Sequence, residues 1–433
     1  MPRVVITGGR SSLLLGVSVY AAVVTILVNV VAARVLSVAD NARFLVSWSV
    51  VFAVFQVVSG LQNEATRAVG SLAESPQPGA GGARVLLMPA VLGGATIVLV
   101  ALGLGIAHAV RGASVLAATA PVVIAVAALI VVSYACHSTL VGTLAGRRAW
   151  VMMSAVSASD QTLRVAAVVV VGLVAGSLTA IQLAVLLPGL AWVLLSAVWP
   201  RLRAAAGSRA DVGLGRLLRN GLMAMVAAGA SAVLINGFPA LTRSAVGGHL
   251  TTAALATLLL TIQLTRAPLM LPLAVFQGVA ISAFVAQRQQ RLRVLVKALL
   301  ALVAAGAALA LVMAACGPLA MRLLYGYQYV PSRWLIGGLT FAAVSIALLT
   351  LSGTAAIAVA AHRAYVIGWW VGAAATVAGL FLLPVTAEWR VVLALFFGPL
   401  TGVLYHLVAL MRVDALPVDG EALRGAEANP AAL

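Results

Sequence analysis

An all-α integral membrane protein, about twelve helices in two six-helix lobes, is the fold class that three features of this sequence predict. Hydrophobic residues make up 63% of the 433 and charged residues only 9%, against about 25% charged in soluble domains. The apolar residues fall into long runs, and a helix needs roughly 20 of them to cross a bilayer. The basic residues sit in the short gaps between runs, as membrane topology requires. Uniformly apolar runs favour helices over a barrel, whose strands alternate over about ten residues.

The runs fall at 12–33, 44–61, 85–108, 115–140, 151–175 and 180–199, then at 218–241, 252–285, 295–316, 335–360, 365–383 and 391–410. The first follows Arg3 and Arg10, is too long for a signal-peptide core and reads as a retained span. The 252–285 run is too long for one straight span, and Pro268 and Pro272 are expected to kink it. The expected organisation is a first lobe at 1–200, a basic cytoplasmic linker at 201–217, a second lobe at 218–411 and a polar, disordered cytoplasmic tail at 412–433. With the N-terminus placed inside, 18 of the 27 basic residues fall on cytoplasmic segments, 7 outside and 2 within spans. That bias supports an even span number and both termini inside.

The net charge of +17 is spread over loops, with no nucleic-acid-binding signature, so no nucleic-acid partner is expected. Cys136 and Cys316 lie inside apolar runs without metal-ligand neighbours and read as core residues. No metal site or cofactor is expected.

The chain also matches itself. Ser138–Met152 reads STLVGTLAGRRAWVM and Gly353–Ile367 reads GTAAIAVAAHRAYVI. Aligned without gaps, they pair Arg148 with Arg363 and Trp150 with Tyr365. AVFQVV at 53–58 echoes AVFQGV at 274–279. Both echoes join span n to span n+6, which points to two six-helix repeats around an axis along the membrane normal.

Ionisable and strongly polar groups at bilayer depth are costly and mark function or pairing. Arg266 lies in QLTRAPLMLP, three residues after Gln263 and eleven before Gln277, so the three lie near one helix face. A guanidinium there is a candidate anion site, because it stays charged and forms paired hydrogen bonds. The bland alternative is a side chain that bonds neighbouring carbonyls or snorkels to the interface. Ser49, Gln56, Asn63 and Arg67 form a polar stripe in span two, read equally as a cavity wall or as interhelical hydrogen bonding. Asn29 in span one and Asn236 in span seven are weaker signals of the same kind. Asp160 and Arg164, four apart in span five, read as an intrahelical ion pair or as a coupling site, with Asp160 the acid placed well inside the bilayer. Arg34, Arg43 and Arg243, near the outer span ends, are candidates for a positive outer vestibule or for interfacial anchors.

Twelve spans in two halves, a basic central linker, QLTRAPLMLP and the span-four exit GTLAGRRAW (142–150) resemble the multidrug/oligosaccharidyl-lipid/polysaccharide (MOP) flippase superfamily. The polysaccharide-exporter, O-antigen-flippase-like branch fits best. The resemblance implies a MATE-like fold, no enzymatic activity, and a polyprenyl-diphosphate-linked saccharide as cargo, moved to the outer leaflet by alternating access. It implies a cavity lined by spans one, two, seven and eight, with Arg266 on the diphosphate. Beside that cargo, the expected partners are membrane lipids and envelope-polysaccharide assembly enzymes, with the chain itself a monomer in a bacterial cytoplasmic membrane. A multidrug or cation antiporter of the same fold is the alternative, weakened because spans one and seven lack carboxylates. A polytopic glycosyltransferase is a poorer fit: the outer loops carry only Glu388 and Asp40 as acids, and no nucleophile or metal motif appears.

Overall fold

In the computed structural model, residues 8–74, 82–111, 121–266, 291–359 and 361–414 are described. Gln277, Pro268, Pro272, the 274–279 echo and the tail from 415 lie outside them. The described residues form helices joined by short turns.

The first half comprises α1 (Gly8–Val35), α2 (Val38–Val58), α3 (Gly60–Glu74), α4 (Leu87–Arg111), α5 (Pro121–Gly146) and α6 (Trp150–Val174). Then α7 (Leu178–Leu186) and α8 (Ala191–Val198), joined by a 3-10 turn, complete the sixth crossing. The short α9 (Pro200–Ala206) leads to the second half: α10 (Leu214–Ile235), α11 (Phe238–Val246), α12 (Thr252–Arg266), α13 (Arg291–Tyr325), α14 (Arg333–Ala358), α15 (His362–Leu382) and α16 (Ala387–Asp414). Among the described residues, ten segments are long and apolar enough to cross a membrane, and two shorter apolar helices, Leu87–Leu102 and Thr252–Arg266, stand at the third and eighth expected spans. The chain is a multi-pass membrane protein.

Local chemistry sets the helix ends. Ser37, Ser177 and Ser332 cap α2, α7 and α14 by accepting from backbone N–H groups three residues on, the pairing that relieves an unpaired helix start. Gly176, at φ 56°, follows α6, a conformation glycine adopts without penalty. Large apolar side chains cover the outer surface: Leu173 is 82% and Leu311 73% exposed, as lipid-facing positions require.

Several expected boundaries move. Span two is a 35-residue segment, Val38–Leu72, with the single turn residue Ser59 between α2 and α3, and it runs past the expected end at 61. Helix α13, expected over 295–316, continues to Tyr325. Cys316 is exposed rather than in the core, and Cys136 is half-buried.

The repeat appears in the backbone with a different register. Ala149 and Ala361 begin α6 and α15 with matching dihedrals (φ −84°, ψ 57° and φ −80°, ψ 55°). Each donates its N–H to the carbonyl five residues earlier, Leu144 at 2.8 Å and Ala356 at 2.9 Å. By this geometry Trp150 corresponds to His362, three residues off the sequence alignment that paired it with Tyr365. Both segments are rich in small apolar residues, so letter matches alone slip easily.

Within each half the helices pack on their neighbours: α1 on α6 and α3 on α5 in the first, α13 and α16 on α14, and α15 on α16, in the second. Between halves, α10 packs along α2, α3 and α4, and α11 on α2. A buried cluster with Val28, Leu45 and Ile181 of the first half also takes in Leu259, Met321 and Tyr325 of the second.

Candidate functional site

The central feature is a helix break between α10 and α11. The sequence there is Asn236-Gly237-Phe238-Pro239. Proline has no N–H, so the carbonyl four residues earlier, Ile235, is left without its helical donor. Arg266 supplies one: its Nη1 donates to the Ile235 carbonyl. The Arg266 guanidinium also lies 5.0 Å from the centroid of the Phe238 ring, a cation–π contact. Arg266 is 5% exposed, and its Nε and Nη2 meet no acceptor among the described residues. Among the described residues no carboxylate pairs with it.

The next rung of the broken ladder is filled from the other half. Ser49 on α2 donates its hydroxyl to the Asn236 carbonyl and accepts from Ala240 N–H at 3.1 Å. The Asn236 side chain donates to Gln56 Oε1 at 3.5 Å. Thus Ser49, Gln56, Asn236 and Arg266 come together. Gln263 is half-buried on α12. Asn63 does not join them: it lies on α3, past the turn residue Ser59, and is exposed, so the stripe expected through 49, 56, 63 and 67 does not line one site. Asn29 is buried on α1, with Nδ2 donating to Thr25 O at 2.8 Å and Oδ1 unpaired.

A second polar group lies inside the first half. Arg164 Nη2 donates to Asp160 Oδ2 at 2.8 Å, both side chains 4% exposed. Arg164 also donates to Gln161 Oε1 at 3.2 Å and sits 5.2 Å from the Phe52 ring centroid. An aromatic ladder passes it: Trp48 stacks on Phe52 at 4.1 Å, and Phe55 on Tyr134 at 4.2 Å. Asp160 Oδ1 and His137 Nδ1 have no partner. Beside this group, between α2, α4 and α5, is an apolar pocket of about 120 Å³ lined by Ser47, Val51, Val54, Ile97 and Val123 among others.

The three expected vestibule arginines are not gathered into one ring. Arg34 donates to the Leu323 and Leu324 carbonyls at the end of α13, where a cation complements the helix dipole. Arg43 pairs with Asp40 at 3.2 Å, and Arg243 is exposed in the last turn of α11.

Sequence reasoning missed Glu64. Taking span two to end at 61 left Glu64 in a loop, yet it is 6% exposed within the Val38–Leu72 segment. Its signal was the three-residue spacing to Arg67, which bonds it through Nε at 2.8 Å and Nη2 at 2.7 Å. The Asn236–Pro239 turn signal was likewise readable as a break inside span seven.

No family model matches the chain. It is 39% identical over 284 residues to an uncharacterized protein of Mycobacterium bovis and 38% identical over 284 residues to one of Mycobacterium tuberculosis. The matched stretch covers 64% of this chain and 64% of the first, and 65% of each chain for the second. Solved structures resemble it over nearly its whole length. A multidrug resistance MATE family transporter of the MOP superfamily in an inward-facing conformation matches with TM-score 0.67 at 13% identity, over 93% of this chain and 100% of that one. The outward-facing conformation of such a transporter matches with TM-score 0.61 over 94% and 96%. A MOP superfamily transporter from Pyrococcus furiosus, described by a binding pocket of reverse polarity, matches with TM-score 0.61 at 14% identity over 94% and 96%. Across more than nine-tenths of its length, this chain therefore carries the fold of the MOP-superfamily transporters.

Proposed function

We propose that the chain is a transporter that moves a polyprenyl-diphosphate-linked saccharide between leaflets by alternating access. The observation that carries this reading is Arg266, a buried cation whose Nε and Nη2 are unsatisfied among the described residues, close to where the two halves meet. A buried unpaired charge is costly. A diphosphate offers acceptors that match a guanidinium's fork. Ser49, Gln56 and Asn236, close by, supply further polar contacts. On this reading the protein works as a monomer in a bacterial cytoplasmic membrane, with both termini inside and envelope-polysaccharide enzymes as neighbours. Asp160 and Arg164 are the candidates for coupling to an ion gradient.

A second reading is multidrug or cation export. The Asp160 Oδ1, without a partner among the described residues and bound through its other oxygen to the arginine that lies over Phe52, favours it, although Arg164 already neutralises that carboxylate.

Proteoliposomes holding the purified chain separate the two. A short-chain polyprenyl-diphosphate saccharide in one leaflet should become accessible to a lectin added on the other side, and Arg266→Ala should slow this at least tenfold. Ethidium uptake driven by a pH gradient, without saccharide translocation, would replace the first reading with the second. Full saccharide translocation by Arg266→Ala would remove the arginine from the site.

A further inference from the structure

A polar network at the linker end of the α3–α10 seam is used by neither reading. Glu64, on α3, accepts from Arg67 Nε and Nη2 and from Asn220 Nδ2 of α10 at 3.1 Å. Arg67 in turn donates to both oxygens of Asp211 in the linker, at 2.8 and 3.2 Å. The linker is further held to the turn before α4 by a backbone strap. Ala83 N–H donates to Val212 O, Val85 N–H to Ser208 O, and Ala210 N–H to Ala83 O. The seam itself is tight. A Cβ on Gly60 would lie 2.5 Å from the Ala224 carbonyl oxygen, and one on Gly221 2.6 Å from Met88 Sδ.

These contacts divide unequally between the halves. The Arg67–Asp211 pair and the strap tie the linker to the first half. Among the described polar contacts at this end of the seam, the Asn220–Glu64 bond reaches α10. After the last strap contact come Gly213 and Gly215, and a Cβ on either would meet nothing within 4 Å. If α10 withdrew, the apolar contacts among Leu61, Met88, Leu217 and Met225 would part, but Glu64 would keep its two-pronged bond to Arg67, so the polar loss is one hydrogen bond and no buried charge is stranded.

We propose that Glu64 is a positioning residue for the lobe movement. With Asn220 it forms a releasable latch at the linker end of the seam. The linker travels with the first half, and the chain flexes at Gly213–Gly215. This rests on the transporter reading only in requiring that the halves move.

The test uses the full-length chain in lipid vesicles, with Cys136→Ala and Cys316→Ser replacing the native thiols. Spin labels at Ser71 and Met223 report across the seam, and labels at Ser71 and Arg209 report on the linker. These positions are exposed, and Met223 stands about two turns along α10 from the flex point, where withdrawal moves it. Asn220→Ala should raise the ratio of long to short Ser71–Met223 distances about tenfold, the scale of one hydrogen bond to a charged group. Asn220→Gln should restore the short distance, which a merely structural loss would not do. The Ser71–Arg209 distance should stay single throughout. An unchanged Ser71–Met223 distribution in both Asn220→Ala and Asn220→Asp would overturn the latch, as would spreading of the Ser71–Arg209 pair in step with it. The distances need no substrate, so failure of saccharide transport and failure of the latch are separately visible.

Discussion

The carbonyl of Ile235 receives Arg266 because the residue four positions on, Pro239, has no N–H to give it. The two positions are therefore energetically linked. In a double-mutant cycle, Arg266→Ala and Pro239→Ala should couple by about 0.5–3 kcal/mol. Once alanine replaces Pro239, Ile235 regains a backbone donor and loses its need for the guanidinium. Thermal unfolding in detergent of the two single variants and the double variant measures this; strict additivity would break the link.

Arg266 should also be hard to replace by lysine. An ammonium can hold the Ile235 carbonyl but cannot present a fork to a second ligand. Arg266→Lys should keep membrane insertion and near-parental stability while recovering only part of the saccharide translocation lost in Arg266→Ala. Equal rates for the lysine variant and the parent would show that charge alone suffices.

The buried Asp160–Arg164 pair predicts an asymmetry in stability. Asp160→Asn leaves Arg164 charged and unpaired at 4% exposure and should cost about 3–5 kcal/mol. The Asp160→Asn/Arg164→Met double variant should recover most of that loss, since no bare charge remains. Denaturation in mild detergent reads both; a double variant as unstable as the single one would contradict the pairing argument.

Close packing in the second half gives a further test. A Cβ on Gly398 would stand 2.0 Å from Thr376 Oγ1 and 2.5 Å from Thr376 Cα. Backbone cannot yield as a flexible side chain can, so Gly398→Ala should destabilise by about 1–3 kcal/mol. Gly94→Ala, where a Cβ meets nothing within 4 Å, is the matched control and should leave the melting temperature near parental.

The far end of α1 carries a charge-dependent contact. Arg34 satisfies the Leu323 and Leu324 carbonyls. Arg34→Glu should lower thermal stability more than Arg34→Ala, because a carboxylate there meets the negative end of a helix, worth about 0.3–1 kcal/mol beyond the lost bonds. Identical melting of the two variants would show that the helix end is indifferent to charge.

Much of this architecture was readable from apolar run length, because hydrocarbon thickness fixes how long a crossing helix must be. The Asp160–Arg164 pair was equally legible, being a four-residue spacing within one helix. What escaped depends on breaks. Past the turn residue Ser59, Asn63 is exposed and Glu64 buried. The break at Asn236–Pro239 converted Arg266 from a side chain on a helix face into a partner for backbone. Contacts such as Ser49 with Ala240, 191 residues apart, are set by tertiary packing and leave no local pattern.

Ser49 completes a helix that belongs to the opposite half of the molecule. Its hydroxyl occupies both an amide and a carbonyl that lost each other at the break. Pulling the halves apart at this height would strip both groups of their partner, at about 1–3 kcal/mol each wherever water does not replace it. At the linker end the corresponding polar loss is the Asn220–Glu64 bond. Were the halves to rock as proposed, Ser49 would mark the fulcrum, the polar contact most costly to part.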